Sequence, residues 1–171
     1  MITCYIGLGS NQNNPVQQLN QALTSLTSMP QSVLVQASAF YQSSALISPD
    51  AEPETGKTSD YINAVAEILT ALSADELLDN LQQIEHLQGR VRNPSNRWAS
   101  RTLDLDLLLY ADTIIETERL TVPHYDMKNR NFVLKPLFDL KPDLLLPDGS
   151  SIASCLNKCT SAELTKLEHS F

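Results

Sequence analysis

The sequence predicts an α+β fold, ferredoxin-like, in which helices cover a mixed or antiparallel sheet in α/β/α layers. Patterns typical of strands and helices follow one another as strand, helix, strand, strand, helix, strand, which gives two strand–helix–strand units. The hairpin-like links between them favour antiparallel neighbours. A length of 171 residues with 42% hydrophobic content is enough to bury one core, so we expect a single domain over residues 1–171.

The first third of the chain supplies three of these elements. Thr3–Leu8 is an apolar run that predicts a buried strand, and the small, polar segment Gly7–Asn11 predicts a tight turn. A proline in the first turn and apolar spacing of three or four predict a helix over residues 14–29. Residues 33–41 alternate as a second strand, and residues 42–60 predict a long loop of the kind that often forms a lid.

The second strand–helix–strand unit begins at Asp60–Leu69, which alternates as a strand. Ser73 and Glu76 have the spacing of a capping box, and Gly89 is placed to end that helix in a left-handed conformation. An arginine-bearing loop follows over residues 90–100. The remaining elements predicted are the aspartate strand described next, a short return strand at residues 114–115 and helices beginning near residues 130 and 151.

Two carboxylates make the segment Arg97–Tyr110 the most informative part of the chain. In a strand, Asp104 and Asp106 project from one face about 7 Å apart, which is two steps of about 3.4 Å. The opposite face then carries Leu103, Leu105, Leu107 and Leu109. An ordinary half-solvated strand gives the same pattern, but aspartate is disfavoured in strands and neighbouring carboxylates repel without a cation. We therefore expect a Mg²⁺ site on a central strand.

The charges are unevenly distributed along the chain. The net charge is −8, and the first 89 residues hold nine acids against Lys57 alone. All six arginines fall between residues 90 and 130. An acidic chain is a poor partner for nucleic acid or an anionic membrane. Arginines concentrated beside paired aspartates indicate instead a site for a polyphosphate and a metal.

The cysteines and the apolar segments bear on the compartment. Cys4, Cys155 and Cys159 are odd in number and lack Cys-x-x-Cys spacing, which argues against a disulfide framework or a structural zinc site. We find no secretory pattern at the amino terminus and no apolar run approaching a membrane span. We therefore expect a soluble, cytoplasmic protein that does not bind membranes.

A family resemblance is carried by four runs: Gly89-Arg90-Val91-Arg92, Arg97-Trp98, Arg101-Thr102-Leu103-Asp104-Leu105-Asp106 and Leu120-Thr121-Val122-Pro123-His124. With these runs the chain resembles the bacterial hydroxymethyl-dihydropterin pyrophosphokinases of folate synthesis, and the resemblance covers nearly the whole chain. It implies transfer of pyrophosphate from the co-substrate ATP to the hydroxyl of 6-hydroxymethyl-7,8-dihydropterin, with release of AMP. It also implies two Mg²⁺ ions. We expect a monomer.

The resemblance assigns roles to individual positions. Asp104 and Asp106 match the magnesium ligands, and Arg90 and Arg101 match loop arginines that meet the phosphates during catalysis. The positions matching the ATP site are Gln82, Glu85, Arg92, Trp98, Arg119, Thr121, His124, Tyr125 and Arg130. The positions matching the pterin site are Ser43, Leu46, Tyr61, Asn63 and Phe132, with the pterin stacked between Tyr61 and Phe132.

Two other classes of protein share the Asp-x-Asp strand. A metal-dependent nucleotidyltransferase would attach AMP to its acceptor instead of releasing it. A non-catalytic nucleotide-binding module would bind ATP without forming AMP. The residues alone leave both open, and the products formed from ATP distinguish them.

Overall fold

The computed structural model of the chain describes residues 1–44, 60–90, 102–159 and 163–168. The strands are β1 (Ile2–Ser10), β2 (Ser32–Ala37), β3 (Tyr41–Ser43), β4 (Tyr61–Thr70), β5 (Asp104–Tyr110), β6 (Ile115–Glu116), β7 (Thr121–Val122) and β8 (Leu164–Lys166). The α-helices are α1 (Pro15–Thr27), α2 (Ala74–Leu87), α3 (Asn131–Leu140) and α4 (Ile152–Lys158). Most of the predicted loop 42–60 and nearly all of the arginine loop 90–100 lie outside the described residues.

The main sheet has six strands in the order β5-β1-β4-β3-β8, with β2 also paired to β4. Every strand pair in it is antiparallel. Its two strand–helix–strand units, β1-α1-β2 and β4-α2-β5, produce a ferredoxin-like arrangement. The predicted α+β class and the antiparallel form of the sheet are therefore confirmed.

Each face of the sheet has its own apolar core. Cys4, Ile6 and Leu8 of β1 pack with leucines of α1 and α2 on one face. Tyr5 of β1 and Val65 of β4 pack with α3 and α4 on the other. Because neighbouring residues of a strand point to opposite faces, this division gives the predicted α/β/α layers.

The local signals at the helix ends act as the sequence predicts. Asn14 precedes α1, and its side chain accepts a hydrogen bond from the backbone of Gln17. Ser73 and Glu76 form a complete capping box at the start of α2, while Gly89 follows the helix with a φ of 81°. These motifs satisfy backbone groups that have no partner inside the helix, so they fix its ends locally.

The aspartate strand departs from the prediction in its position. β5 pairs with β1 and ends the described strand order, so it is an edge strand and not a central one. β1 takes a central position instead, because it pairs with β5 on one side and with β4 on the other, the latter over nine residues. Pairing order of this kind depends on contacts between distant segments and is not encoded in the alternation of β5 itself.

The face assignment of Leu109 is also wrong. Asp104 and Asp106 do share one face, but Tyr5 pairs with Leu109 and Ile6 with Leu107, so Leu108 is an extra residue in β5. This β-bulge interrupts the alternation. Leu108 and Leu109 consequently both belong to the core beneath α3, whereas Leu103, Leu105 and Leu107 belong to the core beneath α1 and α2.

Two shorter segments differ as well. Gly7–Ser10 is not a turn but the end of β1, because its backbone pairs with β4 and with β5. The predicted strand 33–41 is divided into β2 and β3, since the Ser38 side chain accepts the hydrogen bond of the Val65 backbone and replaces regular pairing there. Two short strands, β7 and β8, were not predicted from the sequence.

The amino-terminal part of the chain has an unusual composition. Residues 1–49 contain no Asp, Glu, Lys, Arg or His, and they supply β1, α1, β2 and β3. The acidic and basic side chains therefore belong to the later elements. Within the described ranges, no helix is both long enough and apolar enough to cross a membrane.

Candidate active site

A cavity of about 700 Å³ opens on the sheet face that carries α3. Its floor is set by strand register: Gly9 pairs with Asp104 on one side and with Asn63 on the other. Gly7 likewise lies between Asp106 and Val65. Because Gly9 has no side chain, the floor between Asp104 and Asn63 stays open, whereas the Leu108 side chain packs against Gly7.

Asp104 lies in an ion pair with Arg90, whose Nη1 atom is 2.5 Å from Asp104 Oδ1. The same guanidinium contacts the carboxylate of Glu85. Glu85 comes from α2, is buried, and accepts a hydrogen bond of 2.8 Å from the backbone N–H of Leu105. The carboxylate of Asp104, the end of α2 and the start of β5 are thus tied together through one arginine and one glutamate.

Asp106 faces a second group of polar side chains. His124 Nε2 lies 3.7 Å and Arg130 Nη1 lies 3.8 Å from Asp106 Oδ2. Burial and the nearby Arg130 lower the pKa of His124 to about 4, so the imidazole is neutral at pH 7. Arg130 is held from its other side by Asp126, whose Oδ2 accepts a hydrogen bond of 2.8 Å from Nε.

The backbone of the β7–α3 connection positions these groups. The N–H of His124 donates a hydrogen bond of 3.0 Å to the carbonyl of Leu108, which ties the connection to β5. The ring of Tyr125 lies beside that of His124, with centroids 4.6 Å apart. Arg130 lies over the rings of Tyr125 and Phe132 at 6.0 and 5.9 Å from their centroids, so a cation is held among aromatic faces.

The other end of the cavity carries aromatic and amide groups. Asn63 is buried, and its amide donates a hydrogen bond of 2.9 Å to Ser43 Oγ. Tyr61 pairs with Ser43 across β3 and β4 and shares the face of Asn63. Phe132, in the first turn of α3, lines the same cavity. Two half-buried rings and a fixed amide are groups that suit a flat polar heterocycle.

The rim near α2 is more exposed. Arg119 pairs with Asp79 at 2.5 Å and with Asp75 at 3.8 Å, and these acids raise the pKa of its guanidinium. Gln82 of α2 and Thr121 of β7 also line the cavity. Being on the surface, the Arg119 ion pairs are readily exchanged for those of a bound anion.

The structure brings fourteen of the predicted site residues to this one cavity, namely Ser43, Tyr61, Asn63, Gln82, Glu85, Arg90, Asp104, Asp106, Arg119, Thr121, His124, Tyr125, Arg130 and Phe132. Leu46, Arg92, Trp98 and Arg101 lie outside the described residues. Sequence reasoning missed Gly7, Gly9 and Asn11 as lining residues. The signal that could have found the glycines is their spacing of two, which in a strand places both on one face.

The donor atoms of the cavity fit magnesium better than zinc. Asp104 and Asp106 offer hard carboxylate oxygens. Zinc usually needs three or four His, Cys, Asp or Glu ligands, and the described ranges contain no metal-binding group of three or more such side chains. Mg²⁺ is typically held by one or two carboxylates, with substrate phosphates and water completing its shell. Two aspartates beside Arg90 and Arg130 meet that requirement.

An α+β sheet that brings two carboxylates, flanking arginines and aromatic rings to one cavity is typical of a phosphate-transferring enzyme. A family model described as 7,8-dihydro-6-hydroxymethylpterin-pyrophosphokinase (HPPK) matches residues 5–142. The chain belongs to this family, whose members use ATP to pyrophosphorylate 6-hydroxymethyl-7,8-dihydropterin in folate biosynthesis. The resemblance seen in the sequence is thereby confirmed.

Two bacterial relatives match nearly the whole length of the chain. The chain is 50% identical over 167 residues to the 2-amino-4-hydroxy-6-hydroxymethyldihydropteridine pyrophosphokinase of Haemophilus influenzae, covering 98% of this chain and 99% of that one. It is 43% identical over 163 residues to the enzyme of the same name from Pseudomonas aeruginosa, covering 95% of each.

Solved structures share the fold at lower identity. A crystal structure of HPPK-DHPS in complex with substrates matches with a TM-score of 0.66 and 13% identity, over 91% of this chain and 43% of that chain. A triple mutant of Plasmodium falciparum HPPK-DHPS gives a TM-score of 0.68 at 14% identity, over 92% and 43%. The present chain therefore spans less than half the length of these structural neighbours.

Proposed function

We propose that the cavity binds ATP and 6-hydroxymethyl-7,8-dihydropterin side by side, with the pterin hydroxyl directed at the β-phosphorus of ATP. One observation carries this proposal: the register of β5, β1 and β4 puts Asp104 and Asn63 on opposite sides of Gly9. This register supports binding of the phosphates and of the heterocycle at two neighbouring positions on one sheet. Transfer gives the pterin diphosphate and AMP.

The metal ligands in this proposal are Asp104 and Asp106, which would hold two Mg²⁺ ions against the triphosphate. When bound, the ions would neutralise charge on the phosphate oxygens. The protein contributes mainly position, because the backbone that carries both carboxylates is paired to β1. Rate in phosphoryl transfer comes largely from such positioning and from fixed charges.

The arginines supply the fixed positive charge. Arg90 and Arg130 lie beside Asp104 and Asp106 respectively, which supports a role for both in binding the β- and γ-phosphates. Arg101, on the resemblance, is the second catalytic arginine, and Arg92 and Trp98 belong to the same loop. The remaining nucleotide contacts are assigned to residues along the cavity wall: Gln82, Glu85, Arg119, Thr121, His124 and Tyr125.

The pterin is proposed to stack between Tyr61 and Phe132. The Asn63 amide would read the polar edge of the ring, since its orientation is already fixed by the hydrogen bond to Ser43. Ser43 and Leu46 would close this end of the site. A flat heterocycle gains most from two aromatic faces and a few convergent polar groups.

The functional unit is proposed to be a cytoplasmic monomer formed by one domain over residues 1–171. The fourteen site residues that the structure describes line one cavity of a single chain, which supports a monomer. Cys4, Cys155 and Cys159 are free thiols, which fits a reducing compartment. Analytical ultracentrifugation at micromolar concentration tests the monomer directly, and a dimer mass would contradict it.

The activity is tested by incubating the protein with ATP, Mg²⁺ and the reduced pterin alcohol and measuring all phosphorylated products. Equal amounts of AMP and pterin diphosphate are expected. AMP joined to the pterin would identify a nucleotidyltransferase, and ATP binding without AMP would identify a binding module. Asp104→Asn should abolish product formation, whereas Asp112→Asn, an exposed turn residue beyond β5, should not.

A further inference from the structure

The side chain of Arg90 lies between two carboxylates where its charge is largely shielded from water. Its Nη1 atom contacts Glu85 and is 2.5 Å from Asp104 Oδ1. The Arg90 side chain is 14% exposed and that of Glu85 is 2% exposed. Ion pairs with so little water around them are strongly coupled, and removing one member leaves the other charge uncompensated.

Glu85 is the better anchored of the two acids. It lies in the last turns of α2, five residues before Arg90, and also accepts a hydrogen bond of 2.8 Å from the N–H of Leu105. Leu105 follows Asp104 directly in β5. Glu85 therefore fixes both the guanidinium and the strand position next to the metal-binding carboxylate, so the distance between Arg90 and Asp104 is set by α2.

A divalent cation and Arg90 compete for the same oxygen atoms of Asp104. Both are positive, and a guanidinium within 2.5 Å of Oδ1 occupies a direction from which a metal would approach. Without a metal, the arginine also relieves the repulsion between Asp104 and Asp106, which lie two residues apart on one face. The same contact that stabilises the metal-free protein thus opposes metal binding.

We propose that Arg90 is a stand-in cation for the metal at Asp104, and that Glu85 is the positioning residue that holds it there. Asp104 exchanges the guanidinium for a divalent ion when the metal and nucleotide arrive together. Arg90, still close to Glu85, then donates its hydrogen bonds to the phosphates. The inference rests on the proposed role of Asp104 as a metal ligand.

One consequence is that metal binds poorly unless phosphates arrive with it. Displacing Arg90 from Asp104 costs the free energy of a largely buried ion pair, and the phosphates supply the anion that replaces Asp104 beside the guanidinium while Glu85 still holds it. Metal and nucleotide binding should therefore be coupled through Arg90. Coupling of this kind is reciprocal: the factor by which the nucleotide raises metal affinity should equal the factor by which the metal raises nucleotide affinity.

The test measures binding of Mn²⁺ alone, without nucleotide, by electron paramagnetic resonance of the free ion. Arg90→Gln should bind Mn²⁺ about tenfold more tightly than the unaltered chain, because the competing ion pair is gone. Arg90→Lys should lie between the two, since lysine keeps the charge but lacks the planar fork. Equal or weaker Mn²⁺ binding by Arg90→Gln would overturn the proposal.

Arg119→Gln is the matched control for charge. It removes one arginine from the same cavity, but the ion pairs of Arg119 are with Asp75 and Asp79. Its Mn²⁺ affinity should stay within about twofold of the starting value, since exposed charges act weakly through solvent. A tenfold rise here too would show a general field effect and would contradict the stand-in role of Arg90.

Two further variants distinguish a failure of the proposed metal site from a failure of the proposed role of Glu85. Asp104→Asn should lose Mn²⁺ binding; if it binds as tightly as the unaltered chain, the proposed metal site is wrong whatever Arg90 does. When Arg90→Gln is added to a protein that already carries Glu85→Gln, Mn²⁺ binding should strengthen only about two- to threefold, because Arg90 is no longer held there. An undiminished tenfold gain would remove Glu85 from the proposal. Circular dichroism verifies that each variant is folded.

Discussion

Asp104 and Asn63 lie in one row of the sheet, each directly across from Gly9. Since adjacent strands are about 4.8 Å apart, the two residues are separated by about 10 Å of sheet that carries no side chain. This distance leaves room for the reacting groups of two substrates above the glycine. The spacing between the proposed metal site and the proposed pterin site is therefore a property of strand register.

Filling the floor should impair pterin binding without unfolding the protein. A Cβ atom at Gly9 would lie 3.5 Å from Asn63 Oδ1, an ordinary contact, so Gly9→Ala should be tolerated. Gly9→Val should weaken pterin binding at least about tenfold, because its methyl groups enter the cavity. Pterin fluorescence titration measures the affinity and thermal melting verifies the fold; unaltered pterin affinity in Gly9→Val would contradict this view of the floor.

Loss of the ring of Phe132 should act on the pterin and spare the nucleotide. Stacking of a heterocycle on an aromatic side chain contributes about 1–3 kcal/mol, so Phe132→Ala should weaken pterin binding roughly 5- to 150-fold. Phe138, later on α3, packs against the core and does not line the cavity, so Phe138→Ala provides the control. Calorimetric titration with each substrate measures both affinities, and a loss of ATP affinity in Phe132→Ala would contradict the prediction.

Removing the Glu85 carboxylate should destabilise the fold. Glu85→Ala leaves the Leu105 N–H without its acceptor and removes one of the two carboxylates that flank Arg90. A buried group left unsatisfied costs about 1–3 kcal/mol. Urea denaturation measures the free energy of unfolding, and Glu118→Ala, an exposed acid on the cavity rim, should stay within about 0.5 kcal/mol. Equal stability of the two variants would refute the structural role of Glu85.

The Cys4 thiol should resist alkylation in the folded protein. Burial raises the pKa of Cys4 to about 12, so only about 10⁻⁴ of it is thiolate at pH 8. Cys159 is partly exposed and should react first. Mass spectrometry of the protein treated with iodoacetamide, before and after urea, identifies the modified residues. Rapid labelling of Cys4 in the absence of urea would contradict this prediction.

The sequence predicted well whatever depends on near neighbours. Ser73 and Glu76 are three residues apart, and a capping box needs nothing beyond that spacing. Asp104 and Asp106 share a face for a similarly local reason, the alternation of a strand. The resemblance, in turn, depended on runs of adjacent residues.

What the sequence did not predict depends on distant partners. The side of the sheet to which Leu109 points is reversed by the bulge at Leu108, which exists only in the pairing with β1. Gly9 looked like part of a turn because its strand partners, Asn63 and Asp104, are more than fifty residues away in sequence. Contacts of this kind become visible only when the strands are assembled.

Residues 1–49 carry no charged side chain, so this part of the molecule responds less to pH and ionic strength than the rest. Three of the six strands of the main sheet, together with α1, carry no side chain that titrates between about pH 4 and 8. The charged side chains that line the cavity all come from later segments. A change of buffer should therefore alter how tightly ligands are held, while three strands of the main sheet keep their side chains in one protonation state.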